Sequence, residues 1–183
     1  MMVEKGTIYM LCIYGGAEME EKVEVFLEIC REGAVVPAYV KEGDAGMDVC
    51  AAEEVLIAPG ETVIVPTGIK LAIPDGYEIQ VRPRSGISYN TPLRLSNSPG
   101  TIDSGYRDEL GIIMTNTSES SSGDQILTID SKGNCKGTYR IRKGDRIAQI
   151  VLQVVPKMKF TIVDSVKGIG NDRGGGFGST GVR

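Results

Sequence analysis

Five short segments hold the side chains best suited to chemistry, and most of those groups suit a polyphosphate. Arg82-Pro83-Arg84-Ser85-Gly86 offers guanidinium forks, a hydroxyl donor and a glycine that lets backbone N–H groups come close. Gly144-Asp145-Arg146-Ile147-Ala148-Gln149 pairs charges with an amide at the start of an apolar run. Gly100-Thr101-Ile102-Asp103-Ser104-Gly105-Tyr106-Arg107 reads as a glycine-rich hairpin between two apolar runs. Its one carboxylate can position a water, and its one aromatic can stack on a flat or ring-shaped substrate. Asp44-Ala45-Gly46-Met47-Asp48 adds a turn with two carboxylates. The glycine-rich stretch 168–181 carries Arg173, Phe177, Ser179 and Thr180, a composition suited to a lid that orders over a nucleotide. Each segment alone also has a plainer reading: a basic turn with a capping serine, a charged hairpin, an Asx turn, a solvated linker. Only together do the five segments point to one chemistry.

What the chain lacks narrows the chemistry further. It has no histidine, so Ser-His-Asp and Cys-His nucleophiles, His-ligated zinc and imidazole acid–base catalysis are excluded. Acid–base work near neutral pH then falls to carboxylates, Arg, Lys, Tyr and backbone donors. Four cysteines (Cys12, Cys30, Cys50, Cys135) with no CxxC spacing read as reduced packing residues of a cytoplasmic protein. The formal net charge of −4 gives no footprint for nucleic acid or an anionic membrane, and neither is expected as a partner. No apolar run approaches the ~20 residues of a membrane span. Residues 1–20 lack the basic start and cleavage site of a signal peptide and are read as a leader of unclear role, with Met19 an alternative start.

These segments need a scaffold, and the pattern around them is β. Gly 24 and Pro 8 in 183 residues favour many short strands over long helices. Period-two or β-branched runs recur at 23–30, 55–58, 62–65, 69–73, 77–81, 110–114, 126–129, 139–141, 147–155 and 160–163, with turn residues between them. One short helix is expected after Ser85, near 87–90. The rhythm predicts an all-β sandwich or jelly roll over residues 21–164, followed by a flexible arm over 165–183. The polar, serine-rich stretch 118–137 reads as an inserted exposed hairpin or loop.

Taken in order, the segments resemble the five motifs of the homotrimeric deoxyuridine triphosphatases (dUTPases). The matches are Ala45-Gly46-Met47-Asp48-Val49, Pro83-Arg84-Ser85-Gly86-Ile87, Gly100-Thr101-Ile102-Asp103 with Tyr106-Arg107, Gly144 to Gln149, and Arg173 with Gly176-Phe177-Gly178-Ser179-Thr180-Gly181. The resemblance implies a jelly-roll homotrimer whose active sites are shared between subunits. It implies hydrolysis of dUTP to dUMP and diphosphate, which keeps uracil out of DNA and supplies dUMP for thymidylate synthesis. Asp103 would be the general base that activates a water for attack on the α-phosphorus, and Tyr106 would pack on the deoxyribose and exclude a 2′-hydroxyl.

By the same resemblance, backbone groups of Gly100, Thr101, Ile102 and near Gly111, with Asn97, would read uracil. That pocket would be too tight for a 5-methyl group or a cytosine amine. Arg84, Ser85, Gly86 and Gln149 would contact the phosphates. Arg173, Gly178, Ser179 and Thr180 would hold the far end of the triphosphate while Phe177 stacks on uracil. Mg²⁺ would travel with the triphosphate, meeting Asp48 through water.

Three departures stand out: Met47 in place of an aromatic, Asp108 where glycine often follows Tyr-Arg, and the long 118–137 stretch. Two rival readings use the same segments. A dCTP deaminase-type relative would need a catalytic Glu and a different aromatic, where this chain has Asp103 and Tyr106. A nucleotide-sensing binding trimer would signal through the inserted loop.

Overall fold

The structure, a computed structural model, describes residues 22–119, 126–172 and 174–175. Alternation of apolar and polar residues sets most strands, and the buried member of each pair points to a common core. In chain order the strands are β1 (Phe26–Ile29), β2 (Met47–Cys50), β3 (Val55–Ile57), β4 (Thr62–Pro66), β5 (Ile69–Ala72) and β6 (Tyr77–Arg82). A six-residue helix α1 (Ser85–Asn90) follows. Then come β7 (Leu93–Leu95), β8 (Gly100–Asp103), β9 (Gly111–Asn116), β10 (Ile126–Thr128), β11 (Thr138–Ile141) and β12 (Arg146–Val154).

They form four small sheets, β1-β5, β10-β11-β3, β2-β12-β6-β8 and β4-β9-β7, wrapped as a jelly-roll-like sandwich. Val49, Ile57, Val65, Ile69, Ile112, Met114, Tyr139 and Ile147 are fully buried in one cluster that all four sheets share. Each such aliphatic side chain contributes about 1.5–3 kcal/mol on burial. Asn116 is the largest of the polar residues buried with them. Its Nδ2 donates to the carbonyls of Ile57 (2.9 Å) and Gly137 (2.8 Å), and its Oδ1 accepts from Ser118 N (3.0 Å), so its amide is satisfied inside the core.

The sheet β2-β12-β6-β8 positions most of the segments singled out above. On β6, Ile79 and Val81 face the core while Glu78, Gln80 and Arg82 form a hydrogen-bonded row on the other face. β12 breaks strict alternation because its register against β2 shifts between Arg146 and Ala148, which lets both Ile147 and Ala148 be buried.

Some expectations need correction. The run 160–163 is not a strand: it leaves β12 without pairing among the described residues, and Phe160 and Ile162 are 82% and 98% exposed. In the described part of stretch 118–137, β10 pairs in parallel with β11 and buries Leu127, so that part is neither an exposed loop nor one arm of a hairpin with β11. Segment 100–107 lies in the connection between β7 and β9, which pair antiparallel, but it is not a tight hairpin, since its own strand β8 pairs with β6. Cys50 is buried and Cys30 half-buried, as packing residues are, but Cys135 is exposed. The leader 1–20, with Cys12, lies outside the described residues.

Candidate active site

Four of the five segments converge on adjacent strands of one sheet. Asp48 on β2 stands opposite Gln149 on β12, and Gln149 stands opposite Arg82 on β6. Just past β6, Arg84 Nε donates to Asp48 Oδ1 at 2.8 Å, and Arg146 Nη1 donates to Asp48 Oδ2 at 3.1 Å. Asp48 thus aims two guanidiniums while offsetting only one of their two charges, which leaves the corner net positive. The Arg84 and Asp48 side chains are only 25% and 23% exposed, so this pair is better shielded than an open surface bridge. Arg84 Nη1 also reaches the Arg146 carbonyl at 3.1 Å.

Gln149 is held in the same corner by donating from Nε2 to the Pro83 carbonyl at 2.9 Å. A Cβ at Gly46 would come within 2.9 Å of the Gln149 Oε1, which explains the glycine there. Ser85 and Gly86, at the start of α1, are exposed. A Cβ on Gly86 would meet nothing within 4 Å and its φ is ordinary, so the chain's own packing does not require glycine there.

The third segment runs along β6 from beside the arginine corner to the far end of the sheet. Gly100 is opposite Val81, and Asp103 is opposite Glu78. Asn97 folds over the start of β8, its Nδ2 3.1 Å from where a Gly100 Cβ would be. Thr101 and Asp103 are exposed and Ile102 is half-buried. Among the described residues, no hydrogen bond or ion pair occupies the Asp103 carboxylate, while its carbonyl accepts from Tyr106 N at 3.0 Å. Tyr106 is 38% exposed, and its hydroxyl donates to the Glu109 carbonyl at 2.9 Å. Gly111 has a packing explanation of its own, because a Cβ there would lie 2.5 Å from Ile64 Cγ2.

Register gives the spacing between the two groups. Asp103 is level with Glu78, whereas Gln149 is level with Arg82 and Arg84 lies two residues further. At ~3.3 Å per residue and ~4.8 Å per strand, Asp103 stands about 15–20 Å from Gln149 and Arg84 within one chain. The structure therefore gathers Asp48, Arg84, Ser85, Gly86 and Gln149 in one place, while β8 starts near it at Gly100, with Asn97 over that start, and leads away through Thr101 and Ile102 to Asp103 and Tyr106. Arg173, Phe177, Gly178, Ser179 and Thr180 lie outside the described residues.

Arg146 joins the corner although the motif resemblance assigns it no role. Arg31 meets Glu109, 78 positions away, beside the Tyr106 segment. No local pattern signals such a contact. Burial, with Asp48 nearby as a second cause, raises the Cys50 thiol above its ordinary range, so it stays protonated beside the arginine corner. As to metal, no cluster of three or more His, Cys, Asp or Glu is present among the described residues. Asp48 has both oxygens committed to arginines. These residues fit an ion carried in by a ligand and met through water, and they do not fit a cage built by the protein.

An all-β scaffold that presents an arginine corner, an unoccupied carboxylate and a half-exposed tyrosine defines a nucleotide-handling protein. Comparison with known proteins makes this specific. A dUTPase family model matches residues 32–123. The deoxyuridine 5′-triphosphate nucleotidohydrolase of Desulfotalea psychrophila is 45% identical over 169 residues, covering 90% of this chain and 100% of that protein. The one from a Picosynechococcus strain is 41% identical over 150 residues, covering 81% and 92%. Among solved structures, the Staphylococcus bacteriophage 80alpha dUTPase with dUPNHPP superposes with a TM-score of 0.78 at 31% identity, covering 88% of this chain and 100% of that one. A mutant dUTPase from phage phi11 of S. aureus, studied for its coordination of a structural Mg(II) ion, gives 0.71 at 30%, covering 78% and 98%. The chain belongs to the dUTPase family.

Proposed function

We propose that this protein hydrolyses dUTP to dUMP and diphosphate, with Asp103 as the base and the Asp48–Arg84–Arg146 corner as the phosphate anchor. The observation that carries the reading is the unoccupied Asp103 carboxylate at the end of β8, on the same sheet as the two guanidiniums aimed by Asp48. A water beside Asp103 gives its proton to the carboxylate and bonds to the α-phosphorus. The bond from that phosphorus to the bridging oxygen breaks, and diphosphate leaves with the electron pair. Arg84, Ser85, Gly86 and Gln149 bind the phosphates, and Arg146 adds charge beside them. Tyr106 packs on the deoxyribose, while Asn97 and the backbone of Gly100, Thr101 and Ile102, with that near Gly111, read uracil. Mg²⁺ bound to the triphosphate would neutralise charge and orient the phosphates, and Asp48 would face it through water.

Proton transfer and phosphate anchoring must act on the same triphosphate within hydrogen-bond reach. A separation of about 15–20 Å inside one chain is too large for that. The active site is therefore shared between copies in a homotrimer: one copy supplies Asp48, Arg84 and Gln149, and another supplies Asp103 and Tyr106. Residues 165–183 form an arm on the domain 21–164, and Arg173, Phe177, Gly178, Ser179 and Thr180 close over the bound nucleotide. None of the described helices is long and apolar enough to cross a membrane, and the protein works in the cytoplasm on the nucleotide pool, keeping uracil out of DNA.

The test is diphosphate release from dUTP, dCTP, dTTP and UTP with Mg²⁺, for the wild type and Asp103→Asn. Release from dUTP alone, lost by at least ~10²-fold in the variant, is expected for removal of an essential base. Ammonia from dCTP would overturn the reading in favour of a deaminase. Binding of dUTP without turnover would make the protein a sensor.

A further inference from the structure

Tyr106 stands on a segment that the fold braces from a distance. Its hydroxyl donates to the Glu109 carbonyl at 2.9 Å, closing a small ring of chain from 106 to 109. The Glu109 carboxylate is in turn gripped by Arg31 Nε, at 2.7 and 2.8 Å to its two oxygens, and by Gly68 N at 2.8 Å. Gly68 must be glycine for this to close. Its φ is +72°, and a Cβ would lie 2.7 Å from the Ala34 Cβ and 3.1 Å from the Arg31 Cβ. Cys30 N donates to the Gly68 carbonyl at 2.8 Å, which places Arg31 directly after a fixed backbone contact. The Glu109 side chain is 22% exposed, so this is a sheltered carboxylate held by two donors, Arg31 Nε across both oxygens and Gly68 N on one, rather than a loose surface charge.

We infer that Arg31 and Glu109 are positioning residues for Tyr106, and that through its ring they set discrimination between deoxyribonucleotide and ribonucleotide. The inference rests on the dUTP-hydrolysis reading. Excluding a 2′-hydroxyl is a steric task, and a steric wall discriminates only if it cannot recede. The ring reaches the Glu109 carbonyl, and that residue reaches Arg31 and Gly68, so loosening either end lets the wall tilt. Glu53, which Arg31 Nη1 meets only at 3.4 Å, makes no contact with Tyr106 and serves as the control.

The experiment compares kcat/KM for dUTP and UTP in the wild type, Arg31→Ala, Glu109→Gln, Arg31→Lys and Glu53→Gln, with amide hydrogen exchange at Tyr106 and Leu110 in the free proteins. Glu109→Gln keeps an acceptor for Gly68 but removes the ion pair. We expect the dUTP:UTP preference to fall about tenfold in Arg31→Ala and Glu109→Gln, with faster exchange at Tyr106. Arg31→Lys keeps the charge without the fork and falls between, while Glu53→Gln keeps the wild-type preference. A preference within about twofold of wild type in both Arg31→Ala and Glu109→Gln overturns the inference, whatever happens to their stability. If the wild type releases no diphosphate from dUTP, the activity reading falls instead. The network is then judged by the ratio of dUMP to UMP binding in the same variants, and an unchanged ratio overturns it.

Discussion

Mixing two inactive variants should restore activity, and the sheet register predicts by how much. Asp103→Asn removes the proposed base, and Arg84→Gln removes the proposed phosphate anchor that Asp48 holds at 2.8 Å. Within one chain the two positions are six residues apart along β6 and its neighbour β8, or about 20 Å. On the proposed reading, the two therefore serve one triphosphate from different copies. If each site takes Asp103 from one copy and Arg84 from another, random trimers formed from equal amounts of the two variants contain sites with both halves intact. Each half is intact with even odds, so about one quarter of sites recover. The pure variants, in contrast, should each lose at least ~10²-fold.

The assay is diphosphate release after co-refolding or co-expression, with mixed trimers verified by native mass spectrometry. An internal control follows from the same geometry. Arg84 and Arg146 both bind Asp48 in one chain, so Arg84→Gln mixed with Arg146→Gln has no intact anchor half to contribute and should recover nothing. Verified mixed trimers of Asp103→Asn and Arg84→Gln that stay at the level of the pure variants would refute the shared site. Recovery in the control pair would refute the assignment of both arginines to one half.

Other predictions follow from single contacts. Asn116→Ala removes the partner of three buried backbone groups, the carbonyls of Ile57 and Gly137 and the N–H of Ser118, and should cost about 3–5 kcal/mol in denaturant unfolding. Asp48→Asn keeps the shape but loses the charge that pairs Arg84 and Arg146; kcat/KM for dUTP should fall by ~10-fold or more while the melting temperature moves by only a few degrees. Burial raises the Cys50 thiol in the folded state, so the native protein binds more protons than the unfolded chain above the usual thiol range. Stability should therefore fall as pH rises through the ordinary thiol value and beyond, and Cys50 should be alkylated well after the exposed Cys135, as mass spectrometry can show. Calorimetry should find no tight Mg²⁺ site without nucleotide, since both Asp48 oxygens are engaged by arginines. A micromolar site in the free protein would contradict that.

Which parts of this were legible in the sequence follows from where each piece of information resides. Strands with their own alternation, such as 77–81 and 139–141, were readable because each buries every second residue against the core. β2, β7 and β8 were not. Met47–Cys50 and Leu93–Leu95 are too short for a period to show, and Gly100–Asp103 begins and ends with residues that disfavour strands. β8 exists because β6 offers it a hydrogen-bonding edge, and only the tertiary pairing contains that fact. The converse is the run 160–163, which has β-forming residues but no paired edge among the described residues, and so remains extended and exposed.

The same division governs the site. The residue types at 48, 84, 103, 106 and 149 were visible as motifs because chemistry constrains type and local spacing. What joins them was not visible, because contacts such as Asp48 to Arg146 or Arg31 to Glu109 link positions 98 and 78 residues apart. Most consequential was the fact that adjacent strands of one sheet carry the anchor and the base at opposite ends. Motif order cannot express that separation. A register can, and it turns the requirement for a second copy from a family resemblance into a distance argument that the mixing experiment decides.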